Sequence, residues 1–216
     1  MILEADSTIE GVNRSLDRLL ENPDCDLVIM LGMIGSTEAL QRISLPKPVI
    51  APLVYDAELQ KAPRAGVGSG VPNLYYINLG VPLDHKMQVF RDLVPFNNPV
   101  LLFDEGDINS IPVLAGLATY VSNEFSINAK MIGVGDSVED IMKAIPEGTD
   151  AVLAGGLWRL SREQIKELVQ KLAERGLPAL SLAIYDYLES GFYATMSPPE
   201  MEEQIARQVA INVHEI

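Results

Sequence analysis

The sequence predicts an α/β protein with two lobes of mostly parallel sheet flanked by helices. Three observations predict it. Short apolar runs end in small or acidic residues: Asp26 to Gly32, Pro48 to Pro52, Pro99 to Asp104, Ala151 to Gly155 and Pro178 to Ala183. Continuous apolar runs of this length mark strands buried on both faces. Stretches of helical periodicity separate the runs, giving the strand–helix alternation of a parallel sheet. The pattern also restarts at Pro99, after an Asn97-Asn98 pair flanked by prolines, where a crossover between lobes fits.

Each element has its own signal. Ser7 to Leu20 reads as an amphipathic helix: Ser7 and Thr8 offer caps, Glu10 supplies a first-turn acid, and Ile9, Val12, Leu16, Leu19 and Leu20 form one stripe. Asn22-Pro23-Asp24 ends it, the first strong strand follows, and Thr37 to Arg42 reads as a short helix. Lys61 to Pro72 is rich in Gly and Pro and reads as a loop. Its stretch Ala65-Gly66-Val67-Gly68-Ser69-Gly70 lacks the Gly-Lys-Ser/Thr ending of a phosphate loop. Strand-like Leu74 to Leu79 follows rather than a helix, which argues against a nucleotide site. Pro82 opens a helix to Leu93. Beyond the junction come a strand at 99–103, a helix from Ser110 to Phe125 and a strand from Ala129 to Val134. Ser137 caps a short helix to Ala144, with Glu139 and Asp140 in its first turn. A strand at 151–155 leads to the helix Ser161 to Arg175, which opens on the capping box Ser161-Arg162-Glu163-Gln164 and stops at Gly176. A strand at 179–184, a short helix from Tyr185 to Ser190 and a returning strand at 192–196 follow. Pro198 and Pro199 start a last helix, Glu200 to Ile216, with Ile205, Val209, Ile211 and Val213 on its buried side.

Composition narrows the function. The 216 residues are enough for one large domain or two small lobes. A formal net charge of −14, from 30 acidic and 16 basic residues, disfavours nucleic acid and anionic membranes as partners. Cys25 is the sole cysteine, so no intramolecular disulfide forms, and His85 and His214 both fall in helical stretches away from it. No apolar stretch approaches the ~20 residues that span a bilayer. Met1 is followed almost at once by Glu4 and Asp6, so the start does not read as a signal peptide.

Several stretches carry a resemblance. Gly11-Val12-Asn13 through Leu19-Leu20, then Asp26-Leu27-Val28-Ile29 ending in Gly32, resembles type I periplasmic substrate-binding proteins of ABC transporters. So do Pro46-Lys47-Pro48-Val49-Ile50-Ala51-Pro52, Asn73-Leu74-Tyr75-Tyr76, Phe90-Arg91-Asp92-Leu93-Val94-Pro95 and Leu177-Pro178-Ala179. The closing Gly191-Phe192-Tyr193-Ala194-Thr195-Met196-Ser197-Pro198, with Ala206-Arg207-Gln208-Val209-Ala210-Ile211-Asn212, is similar to one subgroup. That subgroup is the binding-protein-like domain ahead of the barrel in some TolC-type outer-membrane efflux proteins. The resemblance implies two α/β lobes (1–96 plus 195–216, and 97–194), a hinge of crossing segments and a ligand cleft between them. It also implies no catalysis, metal or cofactor, and a periplasmic or cell-envelope parent protein. Family members open with a strand, a helix and a second strand before the helix that here starts at Ser7. The first lobe therefore reads as truncated, and strand 26–31 has an exposed edge. Either the chain is a fragment of a longer protein, or the edge is covered by a homodimer or by Met1 to Ala5.

Ligands of parallel sheets bind outside the carboxyl ends of the strands, so residues there are the candidate ligand contacts. Ser36 and Thr37 follow the first strand, where a helix N-terminus would present N–H groups to an anion; Ser36 capping that helix is the competing reading. Tyr55 and Asp56, a hydroxyl and a carboxylate, follow the second strand and also suit a surface turn. Asp104 and Glu105 end the first strand of lobe two; adjacent strand residues point to opposite faces, so they cannot be a paired-carboxylate catalytic site with each other. An amine-binding or capping role suits them better. Trp158, the only tryptophan, suits either a cleft wall or the core, and Arg159 beside it could pair with a carboxylate. Tyr185 and Asp186 complete the set. Three functions compete: a small-molecule-binding or sensory domain linked to transport or efflux, a protein-interaction adaptor that has lost ligand binding, and a doubly wound α/β enzyme. Against the enzyme stand the absence of a nucleophile elbow, a phosphate loop, a metal-ligand cluster and a cleft histidine.

Overall fold

Strand–helix alternation becomes two separate parallel sheets in the computed structural model, which describes residues 1–5, 8–66 and 68–216. The chain divides into two compact units, Met1–Pro82 with Glu200–Ile216, and Leu83–Pro199.

The first unit is built on a three-stranded sheet in the order β1 (Val28–Ile29), β2 (Val49–Val54), β3 (Leu74–Asn78), all parallel. Helix α1 (Ile9–Glu21) starts where Thr8 Oγ1 accepts from the Gly11 N–H at 3.0 Å. The alternative cap Ser7 and the loop residue Val67 lie outside the described residues. Val12 and Leu16 of α1 are buried with Val28, Met30, Val49, Ala51 and Leu74, and with Ala39 and Leu40 of α2 (Gly32–Leu40). Helix α2 corrects the expected helix at Thr37 to Arg42: it begins at Gly32, where the apolar run ends, and only two residues of that run pair as strand. Helix α8 (Met201–Glu215) packs on β2 and β3. Its expected buried side is corrected in part. Ile205 and Val209 are half-buried, but Ile211 and Val213 are 43% and 44% exposed, and no residue of α8 is fully buried. Ile211 lies two residues from Val209 and so on the opposite side of the helix.

The second unit carries a five-stranded parallel sheet in the order β5 (Lys130–Val134), β4 (Pro99–Asp104), β6 (Ala151–Ala154), β7 (Ala179–Ser181), β8 (Ala194–Thr195). Every residue of β4, β6 and β7 is buried, as expected for strands covered on both faces. Helix α3 (Leu83–Leu93) belongs with this unit. The expected helix from Ser110 to Phe125 is two helices, α4 (Glu105–Ser110) and α5 (Pro112–Phe125). Asp104 caps α4 through its side chain, and Pro112 opens α5, where its missing N–H costs nothing. Helix α6 (Val138–Ala144) is capped by Ser137. Helix α7 (Arg162–Glu174) carries the full capping box of Ser161 and Gln164 and is followed by Gly176 at φ +70°. Val100, Leu102, Val152 and Ala154 pack against Leu168 and Leu172 of α7 and Val138 and Ile141 of α6.

Candidate functional site

The carboxyl ends of β4 and β6, neighbours in the second sheet, form one constellation. Asp104, the last residue of β4, is 4% exposed. Its Oδ1 accepts from the Gly106 N–H at 2.8 Å and forms an ion pair with Arg159, Nε lying 3.2 Å away. Its Oδ2 is buried and has no hydrogen-bond partner among the described residues. Asp104 is thus a buried carboxyl paired with Arg159 through one oxygen, while the other accepts no hydrogen bond among the described residues.

Beyond β6 the chain reads Gly155-Gly156-Leu157-Trp158-Arg159, and its two glycines have steric causes. Gly155 N–H donates to Leu102 O at 2.9 Å, and a Cβ there would come within 2.2 Å of the Phe103 ring. Gly156 O accepts from the Asp104 N–H at 2.9 Å, and a Cβ there would meet the Trp158 indole at 2.3 Å. The indole thus lies against a bare backbone. It is 60% exposed, and its Nε1–H donates to Asp107 Oδ2 at 2.8 Å. Burial raises the Asp107 carboxyl above its ordinary range; the Trp158 hydrogen bond opposes this, repulsion from Asp104 adds to it, and Arg159 opposes it.

Tyr187 supports the constellation from below. Its hydroxyl oxygen accepts from the Leu157 N–H at 2.9 Å, and its ring packs on Phe192 with centroids 4.9 Å apart. Burial pushes its hydroxyl up to about 12, with the Leu157 N–H opposing and the Asp104 charge adding.

The residues singled out from the sequence fall in different places. Ser36 sits inside α2, fully buried: its Oγ–H donates to Met30 O at 3.2 Å and its oxygen accepts from the Leu53 N–H at 3.0 Å. It is therefore neither a cap nor at a helix N-terminus. Thr37 Oγ1 accepts from Gln60 Nε2 at 2.9 Å, and Gln60 Oε1 accepts from the backbone of Tyr55 and Asp56. Asp56 Oδ1 accepts from the Glu58 and Leu59 N–H groups, as the turn reading requires. In the second unit, Glu105 is exposed at the start of α4, and its stem lies against Gly133 of β5. Tyr185 and Asp186 open a single 3₁₀ turn, Tyr185–Tyr187, where Asp186 pairs with Arg162 at 3.5 Å on the surface. Trp158 is thus the candidate placed in the constellation, together with Asp104 and Arg159. Asp107 and Tyr187 were not singled out. The signal for Asp107 is general: an indole N–H near polar groups needs an acceptor.

A shallow cavity of about 180 Å³ lies at the opposite, amino end of this sheet, lined by Asn98, Pro99, Asn128, Lys130 and Gly148. Among the described residues no group of histidine, cysteine or carboxylate side chains could hold a metal ion, and no helix is long and apolar enough to cross a membrane.

No protein-family model matches the sequence, and no curated protein matches it. Solved structures do. A conserved domain protein from Vibrio cholerae matches with TM-score 0.62 at 14% identity, over 95% of this chain and 68% of its own. An ABC domain in complex with L-Trp from Streptococcus pneumonia matches with TM-score 0.59 at 15% identity, over 94% and 69%. The leucine-binding protein LivK from Thermotoga maritima matches with TM-score 0.53 at 13% identity, over 88% of this chain but 54% of its own. At these identities the likeness shows the fold alone: two parallel sheets flanked by helices.

Proposed function

We propose that the chain is a non-catalytic small-molecule-binding or sensory domain, and that the ledge of Asp104, Asp107, Trp158 and Arg159 contacts the ligand. The observation that carries it is the pairing of an exposed indole with a buried, half-satisfied carboxylate at the carboxyl ends of adjacent parallel strands. Such ends are where open α/β sheets bind ligands. An aromatic wall with a few fixed polar groups is the usual make-up of such a site. The likeness to an L-Trp-bound domain and a leucine-binding protein supports this reading, as does the sequence resemblance to transport and efflux components in the cell envelope. Differential scanning fluorimetry against amino acids, sugars and aromatic metabolites tests it. At least one class should raise the melting temperature, and Trp158→Ala should weaken that shift without unfolding the protein. A panel without any stabilising compound would overturn the reading.

A second reading, a protein-interaction domain, is favoured by the open side of β1. Among the described residues that strand pairs with β2 alone, and Ile29 and Leu31 are 39% and 76% exposed. An unpaired strand edge with apolar side chains is a template for a partner strand, from a second copy or from a longer polypeptide.

A further inference from the structure

The charge around Trp158 selects among ligand classes. Asp104, Glu105 and Asp107 come within four residues at the end of β4, and Arg159 is the cation that faces them. Arg159 binds Asp104 Oδ1, leaving Oδ2 without a partner among the described residues, so the carboxylates outweigh the guanidinium. The indole lies against Gly156 on one side, while Trp158 as a residue is 60% exposed. The Nε1–H bond to Asp107 fixes the plane of the ring and brings a carboxylate to its edge.

We propose that this ledge binds an organic ammonium ion, seated on the open face of the Trp158 indole with the Asp107 carboxylate beside it. A tryptophan face is the strongest aromatic partner for a cation, and quaternary ammonium groups are recognised in this manner. Asp104 beneath is paired with Arg159, so the charge left for a cation at the indole edge is that of Asp107. The overall charge of −14 raises the local concentration of cations over anions. This inference rests on the small-molecule reading and names the chemistry of its ligand.

The test uses choline as probe and 3,3-dimethylbutan-1-ol as its neutral counterpart, which has carbon in place of nitrogen. Trp158 is the only tryptophan, so its emission reports occupancy directly. Choline should give a saturable change in emission, confirmed by calorimetry, and the alcohol should bind at least about tenfold more weakly. Asp107→Asn keeps an acceptor for the indole and removes the charge; it should weaken choline about fivefold or more and leave the alcohol unchanged. Equal binding of choline and the alcohol, or no saturable response to choline, overturns the ammonium assignment. If another compound from the fluorimetry panel stabilises the protein and perturbs Trp158 while choline does not, the ammonium assignment falls and the small-molecule reading stands. If nothing binds in either experiment, both fall.

Discussion

Tyr187 links stability to the candidate site through a single hydrogen bond. Its oxygen satisfies the buried Leu157 N–H, one residue before Trp158. Tyr187→Phe leaves that donor unpaired in the interior, so it should cost about 1–3 kcal/mol, read from denaturant unfolding. The pH dependence has a definite sign. The folded protein holds the Tyr187 proton up to about 12, against 10.0 for an ordinary tyrosine. This contribution is fully present below pH 10 and is lost as pH rises from 10 towards 12. Wild-type stability should therefore fall by roughly 2–3 kcal/mol more than that of Tyr187→Phe across this window. Parallel pH profiles would contradict the assignment. Gly156 gives a second residue-scale test: Gly156→Ala puts a methyl 2.3 Å from the indole. It should break the Trp158–Asp107 bond, shift Trp158 emission and weaken any ligand seated on the ring, while far-ultraviolet circular dichroism stays unchanged. Unchanged emission would show that the ring does not rest on Gly156. The sequence pointed to Trp158 and Asp104 because strand ends are legible from apolar runs. Asp107 was not legible, since its role depends on an indole 51 residues away. Ser36 and Thr37 look like ligand contacts in sequence, yet their hydroxyls are bonded within the first unit, a fact of packing that no local pattern encodes.

At the scale of elements, those with local signals were readable: α1 with its Thr8 cap, α6 with Ser137 and α7 with its capping box each start where their capping residues place them. Helix α4 was not readable, because Glu-Gly-Asp-Ile-Asn-Ser has no apolar period, and its start is set by the side chain of the strand-terminal Asp104. Helix α2 starts earlier than the expected Thr37, directly at Gly32 where the apolar run ends. Strand β1 is the element with consequences for assembly. The Val28 N–H donates to Pro48 O, just before β2, and the Met30 N–H to Ile50 O, so by strand alternation Ile29 turns its backbone groups to the open side. Unpaired groups of this kind invite another strand. The protein should therefore associate in a concentration-dependent manner in size-exclusion chromatography with light scattering, and Ile29→Lys should return it to a monomer. A monomer for both proteins over a wide concentration range would contradict this role for β1.

For the whole molecule, two parallel sheets supply the frame, and the second places an aromatic platform and two carboxylates at the carboxyl ends of β4 and β6. The fold class was legible because apolar runs and helical periods repeat along the chain. The chemistry was legible only to the extent that strand ends carry unusual residues. The most direct measurement is a paired titration of the intact protein with the best stabilising compound, following Trp158 emission and melting temperature together. Both should change over the same concentration range. At about a hundredfold excess over Kd, the gain should be about 2.7 kcal/mol, or a rise of roughly 5–10 °C for a protein of this size. A melting shift with unaltered Trp158 emission would place the ligand elsewhere and contradict the account.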